Sequence, residues 1–337
     1  MISGILFVTA TIMKESTNEP IKFFRIAHLL QKSYVINMSL LTGVRNVCVP
    51  APAKINLFLS VGEKREDGFH ELLTVMAKVR LFDHVIIEKS FENGEIKVSC
   101  PDFPEIENEN NLAVKMVNHW RSLTGINDGI RISLAKNIPM EAGLGGGSSD
   151  AVATLFGLNA LSENKLNFEQ MSELSAKVGS DCPAFLLSGT CIASGRGEKV
   201  RKVDRSLSNR ISGRKILLFK PKFGFSTSEI YGGLLKTDLS AVGFNQELEQ
   251  MKMFENGEVS LLQFMRNDLE NPILRKYLFV PALFKVLRKE FKLQPMVCGS
   301  GSSCFVVVSE KDNLEMIKGF ILESWGYETF MVETELI

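Results

Sequence analysis

The densest chemistry in this sequence lies in one stretch, Pro139-Met140-Glu141-Ala142-Gly143-Leu144-Gly145-Gly146-Gly147-Ser148-Ser149-Asp150. Four glycines in five residues remove the Cβ atoms that would block left-handed backbone or the close approach of a ligand. An apolar helix opens directly afterwards, at Ala151-Val152-Ala153. A glycine-rich loop feeding a helix N-terminus turns several free backbone N–H groups toward one point, where the helix dipole adds partial positive charge. That is a phosphate cradle. Ser148 and Ser149 add hydroxyls able to bond phosphate or coordinate Mg²⁺. The spacing is not that of a Walker A loop, since no lysine precedes the serine pair. Nor is it G-x-G-x-x-G, since the sixth position is Ser148 counted from Gly143 and Asp150 counted from Gly145.

Two further segments carry reactive groups. Pro52-Ala53-Lys54-Ile55-Asn56 sets an ammonium and an amide at the start of a strand, and Gly179-Ser180-Asp181-Cys182-Pro183 sets a carboxylate in a turn after a helix. Taken alone, the first is an ordinary solvated strand edge and the second an ordinary turn or cap. The glycine loop gives both a reason to be read as chemistry.

Stepping out to the elements that must position these groups, Ile55, Leu57 and Leu59 alternate as a strand, and Gly62 to Gly68 reads as a polar turn. Val85 to Glu88 and Ile96 to Ser99, split by Asn93-Gly94, predict a hairpin. Leu112, Met116, Trp120 and Leu123 have helical spacing, and Ile130, Ile132 and Leu134 alternate as a strand. The glycine loop leads into a helix over 149–161, and a second helix over 171–178 is stopped by Gly179. Further on, strands are expected at 191–193, 216–219, 304–308 and 328–332, helices at 228–235, 281–291 and 316–325, and a basic loop at 201–214. Helices and strands are interspersed, so the class is α/β or α+β.

At roughly 100–200 residues per domain, 337 residues make two domains or one large one. Lysine plus arginine and aspartate plus glutamate both total 39. That balance argues against a dedicated nucleic-acid or membrane-surface binder, which carries a basic excess. No segment reaches the ~18 consecutive apolar residues needed to span a bilayer. The six cysteines form no C-x-x-C pair and are too sparse for a disulfide scaffold, so they read as free, mostly buried thiols. The first 47 residues look unlike the rest, with five basic and two acidic residues. Their apolar run precedes the first lysine, the wrong order for a secretory signal. A transit peptide, a start at Met38 and a genuine extra segment all stay open.

Taken together, Ala51-Pro52-Ala53-Lys54-Ile55-Asn56-Leu57, the glycine loop with its serines, and Gly299-Ser300-Gly301 resemble the three motifs of the GHMP kinase superfamily. Three more segments narrow the resemblance to the branch acting on a cytidine-diphosphate-linked methylerythritol: Gly62 to Leu72, Gly179 to Pro183, and Gly195-Arg196-Gly197-Glu198. The resemblance runs from about Pro50 to the C-terminus. It implies an α+β, two-domain GHMP kinase-like fold with the active site in the interdomain cleft: an ATP-binding domain over 48–210 and a C-terminal domain over 211–337, after an extension over 1–47. It implies transfer of the ATP γ-phosphoryl group to the 2-hydroxyl of the methylerythritol moiety, with Mg²⁺ as cofactor. Lys54 and Asp181 match the catalytic pair; Pro139 to Ser149 match the triphosphate loop, with Ser149 the metal-side hydroxyl; Asn111 and Lys136 match positions near the nucleoside of ATP. Asn56, His70 and Thr227 match the acceptor side. Phe69, where the family often has tyrosine, and Tyr231 match the aromatics that flank the cytosine. The implied partner is this small molecule, with no nucleic acid or membrane. Cytoplasm is the default location, with a plastid as the alternative through the N-terminal segment. Rival readings are another GHMP kinase, acting on mevalonate, homoserine or a sugar, and an inactive binding protein of the same fold.

Overall fold

Two long strands open the described chain. A computed structural model describes residues 46–90, 94–162, 165–240 and 243–337. The expectations for residues 1–45 lie outside these. Asn46 and Val47, assigned above to the extension, already belong to the first strand, where Val47 is buried. The described chain divides into two compact units that alternate along the sequence: one holds residues 46–52, 82–138 and 146–188, and the other 53–81, 139–145 and 189–337. The strands β1 (Asn46–Lys64) and β2 (His70–Ser90) contribute residues to both.

In the first unit, β3 (Ile96–Ser99) pairs parallel with β4 (Gly129–Ala135), and β4 pairs antiparallel with the far end of β2, Val85 opposite Leu134. The expected hairpin therefore does not form. The alternating Ile130, Ile132 and Leu134 of β4 are all buried, and this strand inserts between the two segments that would have paired. Among the described residues, the α-helices of this unit are α1 (Leu112–Thr124), α2 (Gly146–Leu161), α3 (Phe168–Val178) and α4 (Cys182–Phe185). Asn111 caps α1 by accepting a hydrogen bond from the Ala113 N–H, and Gly125 closes it in the left-handed region. Helix α2 is apolar around most of its circumference, and α1, α3 and α4 pack on it. A Cβ on Gly157 would press into the Ile87 side chain, so this glycine sets how closely α2 approaches β2.

In the second unit, the near end of β2 pairs antiparallel with β5 (Cys191–Gly195), which pairs with β6 (Lys199–Lys202). The expected loop over 201–214 is instead the end of β6 followed by α5 (Arg205–Ile211). Next come β7 (Lys215–Lys220), α6 (Thr227–Gly232), α7 (Asn245–Asn256) and α8 (Leu261–Phe264). Strand β8 (Arg266–Asn267) runs parallel to β1, with Leu59 opposite Asn267. The chain ends with α9 (Glu270–Lys276), α10 (Phe279–Glu290), β9 (Met296–Val297), β10 (Cys304–Val307), α11 (Leu314–Trp325) and β11 (Phe330–Glu335). A second sheet orders β11-β7-β10-β9, all antiparallel. Its core draws Val280, Leu283, Phe284 and Leu287 from α10 and Ile317 and Ile321 from α11.

This is the expected α+β class. All six cysteines are free thiols; five are buried and Cys48 is half-buried. Burial pushes the Cys48 thiol up to about 11 and the Cys182 thiol up to about 12. Among the described residues no helix is long and apolar enough to cross a membrane.

Candidate active site

Lys54 and Asn56 point the same way from β1, two residues apart, as strand geometry requires. Both are almost fully buried. The Lys54 ammonium donates to Asn56 Oδ1 at 2.8 Å, Asn56 Nδ2 donates to Thr74 Oγ1 at 2.8 Å, and the Thr74 hydroxyl donates to the Phe58 carbonyl at 2.6 Å. This chain fixes the Asn56 amide, since only its oxygen can face an ammonium. Thr74, on β2, was not singled out in the sequence, because its partners come from another strand.

The first half of the glycine loop belongs with these residues in the second unit. Glu141, Gly143 and Gly145 all have φ between +50° and +73° (51°, 72° and 71°). At Gly143 the need is absolute, because a Cβ would overlap the Cys298 carbonyl oxygen and crowd that of Gly301. The backbones are laced together: Ser302 and Ser303 donate N–H bonds to the carbonyls of Glu141 and Ala142, and the Lys54 N–H donates to the Leu144 carbonyl at 2.9 Å. The third motif joins the same cluster, since a Cβ on Gly299 would lie 3.1 Å from Asn56 Oδ1 and 3.5 Å from Lys54 Nζ. Pro139 and Met140 are half-buried at the entry to the loop.

The second half is the first turn of α2, in the first unit. Gly146, Gly147, Ser148 and Ser149 supply the N–H groups that a helix leaves without intrahelical partners. Ser148 bonds toward the Cys182 thiol. Ser149 is 1% exposed, and its hydroxyl has no hydrogen-bond partner among the described residues. An orphaned buried hydroxyl at a helix N-terminus suits a phosphate oxygen or a hard cation. Among the described residues, no group of three or more His, Cys, Asp or Glu side chains could hold a metal ion.

Lys136, expected near a nucleoside, is committed to two carboxylates. Its ammonium bonds Asp83 and, at 2.6 Å, Asp150, and all three side chains are 5% exposed or less. Asp83 also accepts from the N–H groups of Asn137 and Ile138 at 2.6 and 2.8 Å. Burial, with Asp83 alongside, pushes Asp150 up to about 7; burial opposes the Lys136 charge, but Asp150 and Asp83 outweigh it and raise the lysine. The other residue expected near a nucleoside, Asn111, is the cap of α1 and also donates to the Ile106 carbonyl at 3.0 Å. Asp181 sits half-buried in the N-cap position of α4, yet its side chain makes no capping bond.

The remaining candidates gather in the second unit. A tight turn over 65–69 is pinned by Arg65, which bonds Asp67 and Glu71, and by the Arg65 N–H, which donates to the Phe69 carbonyl. It presents Phe69, half exposed, with the Arg196 guanidinium 4.9 Å above its ring. Arg196 comes from the β5–β6 turn, whose backbone is held by Glu198 accepting the Arg196 N–H. Its place over Phe69 was not anticipated; the flanking glycines at 195 and 197 were the available signal. His70 Nδ1 lies 2.9 Å from the Gly62 carbonyl, and its ring centroid lies 5.6 Å from that of Tyr231. A carbonyl only accepts, so Nδ1 carries the proton and Nε2 of the neutral ring is an acceptor. The Thr227 hydroxyl is 2.9 Å from that of Ser300.

Residues 111–189 match the family described as GHMP kinases N terminal domain. A 4-diphosphocytidyl-2-C-methyl-D-erythritol kinase from Caldanaerobacter subterraneus subsp. tengcongensis is 36% identical over 270 residues, covering 79% of this chain and 89% of that one. The kinase of the same name from Methylacidiphilum infernorum is 38% identical over 268 residues, covering 78% and 86%. The chain belongs to this kinase family. A solved 4-(cytidine 5'-diphospho)-2C-methyl-D-erythritol kinase superposes with a TM-score of 0.66 at 29% identity, over 86% of this chain and 99% of that one. A homoserine kinase from Cytophaga hutchinsonii reaches the same TM-score at 16% identity, which speaks to the fold alone. GHMP kinases take ATP as phosphate donor, which suits a loop-to-helix N-terminus of this kind.

The buried triad yields a stability test. Lys136→Met keeps the length of the side chain and removes the only cation described between Asp83 and Asp150. Stranding buried carboxylates typically costs about 3–5 kcal/mol. Urea unfolding of the variant should show a loss of that size; a loss under about 1 kcal/mol would mean the carboxylates reach water.

Proposed function

We propose that this protein transfers the γ-phosphoryl group of ATP to the 2-hydroxyl of 4-diphosphocytidyl-2-C-methyl-D-erythritol, a step toward isoprenoid precursors. The observation that carries the reading is similarity at more than a third identity over about four-fifths of the chain to kinases of that name.

The chemistry follows from ordinary acid–base and electrostatic considerations. An alcohol is a poor nucleophile. In this reading Asp181 accepts the hydroxyl's hydrogen bond, aims the oxygen at phosphorus and takes the proton as the O–P bond forms. Lys54, oriented by Asn56 and Thr74, stabilises negative charge developing on the oxygens in transit. The loop from Gly143 to Ser149 cradles the β- and γ-phosphates through backbone N–H groups. The Ser149 hydroxyl, without a hydrogen-bond partner among the described residues, is suited to hold Mg²⁺, whose other ligands would be phosphate oxygens and water. When bound, that ion neutralises β- and γ-phosphate charge.

On the acceptor side, Tyr231 and Phe69 offer ring faces and His70 an edge. Nε2, an acceptor, matches the exocyclic amino group of cytosine; uracil has a carbonyl there and would meet it lone pair to lone pair.

An ADP-release assay against the cytidine-linked substrate, mevalonate and homoserine side by side tests the reading. Only the first should give turnover. Asp181→Asn should lower kcat by about 10²–10⁴-fold with ATP binding retained. More than a tenth of wild-type kcat in that variant would remove Asp181 from the chemistry.

The base pocket is tested separately. Base–aromatic stacking is worth about 1–3 kcal/mol, so Tyr231→Ala should raise KM for the cytidine substrate and a uridine analogue together, by about tenfold or more. His70→Ala should instead narrow the gap between the two analogues. Neither should move KM for ATP. An unchanged cytidine KM in Tyr231→Ala would make Tyr231 a packing residue.

A further inference from the structure

Asn267 is buried on β8, outside every group placed in the site above, and its amide is fully used. Nδ2 donates to the Val297 carbonyl at 2.9 Å and to the Gly299 carbonyl at 2.8 Å, while Oδ1 accepts from the Leu269 N–H at 3.0 Å. The orientation is unambiguous, because a flipped amide would set its oxygen against two carbonyls. Three residues further on, Glu270 accepts the Val297 N–H at 3.2 Å. Side chains from one short segment thus grip both polar groups of Val297 and the carbonyl of Gly299.

The gripped backbone forms a wall of the cluster around Lys54. Cys298 lies between the two captured carbonyls, and its own carbonyl oxygen occupies the space beside Gly143. Gly299 abuts Asn56 Oδ1 and Lys54 Nζ. Within 297–303 the turn is closed by Gly301 N–H to the Cys298 carbonyl and Cys298 N–H to the Ser303 carbonyl, both 2.8 Å. These bonds tie the turn together, so a displacement of Val297 and Gly299 would carry the Cys298 carbonyl beside Gly143 and the backbone beside Lys54 with it.

We infer that Asn267 is a positioning residue for phosphoryl transfer: by holding the Val297 and Gly299 carbonyls it sets the backbone wall against which Gly143, Lys54 and Asn56 are aligned. It touches neither nucleotide nor acceptor. This inference rests on the kinase reading above.

Asn267→Asp tests it with little change of volume, since the acid oxygen faces the two carbonyls as an acceptor. A misalignment of about 1 Å costs on the order of 10²-fold in rate. The variant should therefore lose about 10–100-fold in kcat, measured at a temperature where circular dichroism shows it fully folded. Asn267→Gln, which keeps the donor on a longer arm, should recover part of that loss. Phe264→Leu, in the aromatic core of the same unit, serves as a control: it should lower Tm while leaving kcat within about twofold. If Asn267→Asp does not fold, Asn267→Ser is measured in its place, with the same loss expected. Folded Asn267 variants with kcat and KM for ATP within twofold of wild type would overturn the inference, as would a Phe264→Leu loss equal to theirs at matched Tm. A wild-type protein that fails to phosphorylate the cytidine substrate would instead overturn the kinase reading.

Discussion

A single carbonyl oxygen governs how the second unit's share of the site is put together. The Cys298 C=O stands where a side chain at position 143 would begin, and Gly143 answers with φ near +72°. Because that approach is so close, neighbouring backbone can finish the joint: Ser302 and Ser303 reach the carbonyls of Glu141 and Ala142, and the Lys54 N–H reaches Leu144. Three motifs far apart in sequence are tied by main-chain bonds, and their side chains are released from structural duty. That suits a site whose chemistry is mostly alignment and charge, as phosphoryl transfer is.

Lys136 and Lys54 are two of several buried lysine side chains, and each is held by its own set of partners. Lys136 is held by opposite charge, in a triad with Asp83 and Asp150 that ties the end of β4 to β2 and to the first turns of α2. Lys54 is oriented through neutral groups, an amide and then a hydroxyl. A buried ion-paired triad of this kind is costly to break.

Legibility in the sequence followed locality. The glycine loop could be read because loop, hydroxyls and helix start are contiguous, and Lys54 and Asn56 because strand alternation puts them on one face. The supposed hairpin failed because strand order is decided by a third segment: nothing within 85–99 announces that β4 will lie between. The 201–214 stretch was misjudged because its charges mask a short edge strand and a one-face helix with Leu207 and Ile211 buried. The pairing of Lys136 with Asp83 was beyond local reading too, since only the fold brings residues 53 positions apart together. Asn267 was invisible for the same reason, since its meaning lies in two carbonyls 30 and 32 positions away.

The cysteines carry a practical consequence. A thiol reacts through its thiolate, and burial suppresses that form here; even half-buried Cys48 is pushed up to about 11. Burial raises Cys48, Cys100, Cys182, Cys298 and Cys304 alike, and Cys191 is itself buried, so electrophiles that alkylate ordinary surface thiols meet poor targets on the folded chain. A cysteine placed on an exposed, unused position such as Tyr327 would therefore react alone. A fluorophore could be attached there without first stripping the native sulfurs, and fast labelling at the others would report unfolding.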